Sequence, residues 1–175
     1  KGFRVVSFVP SCSLMMKSEW PLILPNDPNV KRLSESTFDI CEYMVDLSKN
    51  EGLLSGLKPL DGGITLHISC HSRAQNMGQK AAEMLRNIPE TQIDVIERCS
   101  GHGGSWGVMK DNFELATKFG RPVVKKIENN QSEFISSECP LAGSHIAQGL
   151  ESSQSEGSAP KHSFHPIELL SKSYS

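Results

Sequence analysis

Three cysteines stand in settings that could do metal or thiol chemistry. Cys70 lies in His67-Ile68-Ser69-Cys70-His71, Cys99 opens Cys99-Ser100-Gly101-His102-Gly103-Gly104, and Cys139 lies in Glu138-Cys139-Pro140-Leu141-Ala142. Thiolate sulfur is the ligand of choice for iron–sulfur clusters and also binds zinc well. The spacings run to tens of residues, unlike those of a zinc finger, so the three thiols can meet only if the fold gathers them. Gly101, Gly103 and Gly104 let the backbone approach a bulky centre and turn its N–H groups toward it. His67, His71 and His102 flank the same stretches, and each could ligate metal, hydrogen-bond a cluster sulfur or move a proton. The plainer alternative is three buried cysteines acting as small apolar side chains, with structural histidines around them. Cys99 with His102 is also a candidate nucleophile pair, although no oxyanion feature accompanies it.

Each cysteine follows a short β-like run, which puts it at a strand's carboxyl end. The runs are Ile64 to Ser69, residues 92–98, and Phe134-Ile135-Ser136. Helical spacing over 29–50, Arg73 to Ile88, Asp111 to Phe119 and Gly143 to Leu150 alternates with them, and Pro122 starts a further segment. Residues 3–9 read as a strand, followed by a helix to Trp20 that Ser11 or Ser13 could cap. Asp27-Pro28 is an N-cap and N1 pair, and His165 caps a last helix from Pro166 to Tyr174. The expectation is an α/β fold of duplicated βα units with mainly parallel sheets and site loops at the strand carboxyl ends. Residues 52–63, rich in glycine, form a linker between residues 1–51 and 64–175, and residues 151–161 form a mobile loop. Cys41 falls on an apolar stripe and belongs to the core. Cys12 follows Pro10 much as Cys139 precedes Pro140, which suggests two related halves with Cys12 and Cys139 in matching places. Trp106 covers the site. Lys110, Lys125 and Lys126 are solvated charges available to a redox partner.

With 175 residues, 37% of them hydrophobic, and a net charge of −2, the chain has the composition of a soluble globular protein. That charge gives no reason to invoke nucleic acid or an anionic membrane surface. No apolar run approaches the roughly 18 residues of a transmembrane helix, and no signal peptide is visible. Five widely spaced cysteines fit free or metal-bound thiols in a reducing compartment better than a disulfide framework. The chain starts with Lys and runs at once into a strand, so an upstream part is expected.

At these residues the chain resembles the cysteine-rich CCG family, which includes the B subunit of heterodisulfide reductase, lactate-utilisation iron–sulfur proteins and the C subunit of the anaerobic glycerol-3-phosphate dehydrogenase. The family's duplicated unit carries a His-x-x-Cys-His element, a Cys-Cys-Gly-x-x-Gly element and a Cys-x-x-Cys element. The three cysteine stretches quoted above match them in order. Leu85-Arg86-Asn87-Ile88-Pro89 and His165-Pro166-Ile167-Glu168-Leu169-Leu170 look like the pattern of the glycerol-3-phosphate dehydrogenase member. Pro10-Ser11-Cys12 through Trp20-Pro21 looks like the last element of a preceding repeat. The resemblance implies that residues 1–51 end a first CCG repeat and 64–175 make a second. Ser100, Ala142 and Val9 stand where the pattern has cysteines, which leaves Cys70, Cys99 and Cys139 of five positions in the second repeat. The implied cofactor is an iron–sulfur cluster of the [4Fe–4S] type, held by these three thiolates with His67, His71 or His102 tuning it or supplying a fourth ligand; zinc is the alternative. The implied role is electron transfer from a flavin dehydrogenase subunit toward a membrane quinone-linked partner. An upstream ferredoxin-like segment with [4Fe–4S] clusters belongs to that picture, as does a cytoplasmic place, peripheral on the inner face of the membrane. A structural or zinc-binding docking module is the other reading.

Overall fold

The computed structural model describes residues 2–153 and 162–175; the mobile loop expected at 151–161 lies, beyond Ser153, outside them. β1 (Val5–Ser7) is short and leads to α1 (Pro10–Leu14), which continues through a π turn (Met15–Glu19) into α2 (Trp20–Ile23). Neither serine caps α1. Val9 takes that position ahead of Pro10, and the buried Ser13 hydroxyl instead contacts the Pro10 carbonyl and, at 3.2 Å, the Asp39 carboxylate. α3 (Pro28–Ser36) starts as expected, with the Asp27 carboxylate accepting the Asn29 and Val30 N–H groups.

The single helix expected over 29–50 is broken by β2 (Thr37–Asp39), and α4 (Ile40–Asn50) starts afresh. Thr37 and Phe38 favour a strand, and Asp39 adopts the extended backbone of an N-cap. Its side chain accepts the Cys41 N–H at 2.9 Å while Glu42 reaches back to the Asp39 N–H, a reciprocal capping box. The apolar period runs on across the break because the strand and the helix after it bury residues in the same region.

β3 (Ile64–His67) is buried at all four positions, as a central parallel strand must be. The helix expected from Arg73 to Ile88 is split into α5 (Cys70–Ala74) and α6 (Lys80–Leu85). Asn76 and Gly78, both at positive φ, turn the chain between them. β4 (Ile93–Ile96) follows, then a tight turn at Trp106–Val108 and α7 (Lys110–Asn130). Pro122 does not begin a new segment but lies inside α7. It costs one backbone hydrogen bond, while Ala116, Val123, Val124 and Ile127 bury one continuous face on either side of it. β5 (Phe134–Ser137) precedes α8 (Pro140–Glu151), and β6 (Ser163–Phe164) precedes α9 (Pro166–Lys172). His165 caps α9 as expected, its Nδ1 accepting the Ile167 N–H and Glu168 closing a second capping box.

All strands pair in parallel. One sheet has the order β4-β3-β5-β6, and β1 and β2 form a second. The chain moves outward from β3 to β4, then crosses back to β5 on the other side of β3. At such a reversal the helices leave in opposite directions and a crevice opens beyond the strand carboxyl ends.

Two parts of the chain repeat each other. Val5 pairs with Thr37 and Val6 with Phe38, as Ile135 pairs with Ser163 and Ser136 with Phe164. Val9 and Cys139 each cap a helix that opens on proline, and Asp39-Glu42 and His165-Glu168 form matching capping boxes. The structural counterpart of Cys139 is therefore Val9, and that of Cys12 is Ala142. The expected equivalence of Cys12 and Cys139 shifts by three residues. The main core joins Ile40, Cys41 and Val45 of α4 to Ile64 and Leu66 of β3, with α6 and α9 around them. Cys41, fully buried, is core as expected. A second cluster links β4, α7, β5 and α8 through Ile96, Val123, Ile127, Ile135 and Ile146.

Replacing Asp39 by Ala removes the α4 cap and the contact with Ser13. The expected loss is about 1–2 kcal/mol of unfolding free energy, with Asp39→Asn losing less, as read from urea denaturation.

Candidate metal centre

The loops after β3, β4 and β5 converge on a cavity of about 480 Å³. His67, Cys70, His71, Cys99, His102 and Cys139 all line it, so the fold brings together every residue the sequence singled out. Ser11, Arg98, Leu141 and Ala142 also contribute to its wall. Ser11 comes from α1, which is docked onto the second unit by Gln75; the Gln75 amide donates to the Pro10 carbonyl at 3.2 Å and to Ser13 Oγ at 2.9 Å.

The thiols are free, with Cys70 and Cys99 exposed and Cys139 half-buried. Cys70 opens α5 behind the Ser69 cap, and its Sγ lies 3.7 Å from His71 Nδ1. Cys99 Sγ accepts the Gly101 N–H at 3.4 Å. The loop that carries Cys99 is pressed onto α7. A Cβ on Gly101, which sits at φ +85°, would stand 2.1 Å from the Ala116 carbonyl oxygen, and one on Gly120 would stand 2.4 Å from that of Ser100. No other residue fits either place. Trp106 is 39% exposed at the edge of this loop, next to Gly103, which lines the cavity.

The histidines differ. His67 is buried and both ring nitrogens are engaged: Nε2–H donates to the Arg98 carbonyl at 2.8 Å, and the Ser137 hydroxyl donates to Nδ1 at 3.0 Å. Burial pushes its pKa down, so it is a neutral clamp that ties the ends of β3 and β5 to the loop after β4. His71 is exposed beside Cys70. His102 accepts the Gly104 N–H at Nδ1, while its buried Nε2 has no protein partner. Its pKa is also lowered, by burial first and by His145 second.

Two further groups stand beside the site: His145, for which the sequence offers only a weak case, and Glu138, which it does not single out. His145 on α8 is 5% exposed, its ring centroid 6.3 Å from that of His102, and its Nδ1 is likewise unpartnered. Glu138 is 1% exposed; its carboxylate accepts the Ser69 N–H at 3.0 Å, and one oxygen has no partner. Burial raises its pKa to about 7, against the pull of Ser72 and Ser69 and with the help of Asp39 and Glu97.

Among the described residues, no three His, Cys, Asp or Glu side chains are gathered tightly enough to hold a single ion. One zinc would need its ligand atoms all within about 2.3 Å of it. A multi-iron cluster makes no such demand, since each thiolate binds a different iron. Three thiols around one cavity, a glycine-rich wall and a buried unpartnered histidine nitrogen fit that larger group.

The family described as a cysteine-rich domain, CCG, matches residues 64–147. Those residues are similar to a CCG cysteine-rich domain. Over the whole chain, relatives include the C subunit of the anaerobic glycerol-3-phosphate dehydrogenase of Escherichia coli, 25% identical across 98% of this chain and 41% of its own length. An iron–sulfur protein of Methanocaldococcus jannaschii is 28% identical across 90% of this chain and 29% of its own. The D subunit of the dihydromethanophenazine:CoB–CoM heterodisulfide reductase of Methanosarcina barkeri is 26% identical across 89% and 38%. The chain thus spans about two fifths or less of the length of these relatives. No helix among the described residues is long and apolar enough to cross a membrane.

In the metal-free chain, the raised pKa of Glu138 means that the folded state holds this proton more tightly than the unfolded state. Its contribution is full below pH 4.5 and is lost as pH rises to about 7. Glu138→Gln is expected to flatten that fall by up to about 3 kcal/mol, measured by urea unfolding across the range.

Proposed function

We propose that the protein is the iron–sulfur electron-transfer module of an oxidoreductase subunit, with Cys70, Cys99 and Cys139 as cluster ligands. The observation that carries this reading is the convergence of these thiols, from the loops after three adjacent parallel strands, on one cavity. The relatives that are iron–sulfur proteins or oxidoreductase subunits by name support it.

When bound, the cluster supplies a centre that takes up and releases one electron at a time. The chain's own residues then set how readily it does so. The Gly101 N–H donates to Cys99 sulfur, which stabilises the more negative, reduced form. Leu141 and Ala142 form an apolar wall that limits water. His67 holds the loops in register, and His102, kept neutral by burial, presents its free Nε2 without adding charge. His71, exposed beside Cys70, is the histidine free to move as a fourth ligand.

In this reading the cluster is a [4Fe–4S] centre. Electrons come from a flavin dehydrogenase subunit of the glycerol-3-phosphate dehydrogenase kind and pass toward a membrane quinone-linked partner, with a ferredoxin-like [4Fe–4S] domain upstream in the same protein. The module sits in the cytoplasm, peripheral on the inner face of the membrane through its partner.

The test is iron, sulfide and EPR analysis of protein isolated without oxygen. Iron and acid-labile sulfide in near-equal amounts are expected. Cys99→Ala and Cys139→Ala should each lower both by more than about tenfold, whereas Cys41→Ala, in the core, lowers stability and leaves them. Zinc without sulfide, or no metal in a folded protein, overturns the proposal in favour of a docking module.

A further inference from the structure

His102 and His145 each keep one ring nitrogen without a partner. The residues are 7% and 5% exposed, and their rings meet edge-on with centroids 6.3 Å apart. His102 Nε2 and His145 Nδ1 are both buried, and no hydrogen bond joins either to another described residue. Buried polar atoms in folded proteins are nearly always bonded, so an orphan at the wall of a cavity calls for a partner from outside the chain.

One hydrogen bond decides what His102 can do. The Gly104 N–H donates to its Nδ1 at 3.1 Å, so that nitrogen carries the lone pair. In the neutral ring the hydrogen then sits on Nε2. Ligation of iron uses a ring lone pair, which Nε2 in this tautomer does not have. His102 is thereby removed from the candidate fourth ligands and becomes a donor. It shares the cavity wall with Cys70, Cys99 and Cys139. Its backbone is held in place: a Cβ on Gly107 would stand 2.2 Å from the His102 carbonyl oxygen, and Gly101 is pressed onto α7. Its ring is backed by His145, which Phe113 of α7 meets edge-on in turn at 6.0 Å.

We propose that His102 donates a hydrogen bond from Nε2 to sulfur of the cluster, and that His145 is the positioning residue that holds its ring for that bond. This rests on the cluster reading under Proposed function and gives His102 one role in it. A neutral donor to sulfur stabilises the reduced, more negative centre and raises its potential.

The experiment uses the protein isotope-labelled in its histidine nitrogens, isolated without oxygen and reduced. Pulsed EPR is expected to show a weak histidine nitrogen coupling that disappears in His102→Gln. Redox titration followed by EPR should give a lower potential in His102→Leu, which has no donor. His102→Gln, whose amide N–H reaches toward the same place, should stay near the wild-type potential. His145→Ala should weaken the coupling and lower the potential, and His145→Phe, which keeps a ring there, should restore both. A several-fold stronger coupling, as from nitrogen bonded to iron, overturns the proposal. So does a coupling that survives His102→Gln, no coupling at all, or an unchanged potential in His102→Leu. Should His102→Leu take up no iron, the wild-type and His102→Gln couplings decide the matter. Wild-type protein without iron and sulfide overturns the cluster reading and this proposal with it, so the two failures are told apart.

Discussion

Everything at the cleft depends on β3 lying in the middle of its sheet. Its four residues are buried, both edges are paired, and the chain must pass it on one side to form β4 and on the other to form β5. That reversal aims three consecutive strand ends at one space. Ligands far apart in sequence become neighbours with no local motif to gather them. His67, the last residue of β3, then fastens the arrangement by bonding both the loop after β4 and the end of β5. A strand with fewer buried positions could slip its register and would separate the three thiols.

Much of this was legible in the sequence because the signals were local. The Ile64 and Phe134 runs, the glycines after Cys99 and the Asp27-Pro28 pair each name their own conformation. The six cavity-lining residues were legible because each lies at the end of a strand or in the loop after it. What escaped depends on tertiary partners. β2 is three residues long and exists because β1 lies beside it, so periodicity ran through it unbroken. Pro122 reads as the start of a new segment, yet α7 buries residues both before it, at Ala116 and Gly120, and after it, at Val123, Val124 and Ile127, and that outweighs a single lost hydrogen bond. His145 becomes part of the site's surroundings only when α8 is folded against α7, and Glu138 only when the end of β5 meets the Ser69 N–H ahead of α5.

The two units differ in complementary ways. Val9 sits where Cys139 does, and Ala142 where Cys12 does, so each unit retains one thiol of an implied pair. Their capping boxes and strand register stayed common. Packing constrains both units alike, because α4 and α9 share one core, whereas a ligand is kept only where its own centre uses it.

The π turn at Met15–Glu19 has a consequence for aligning the two units. A π turn holds an extra residue against the α-helical ladder, and each residue of a helix advances about 100° around its axis. Beyond Leu14, the first unit's helix is therefore out of phase with α8. Any alignment of one unit on the other must open a gap within a continuous helix, where gaps are least expected. A comparison of the chain with itself will lose the repeat at that turn, and the correspondence of the two units lies in strand register and helix caps rather than in letters.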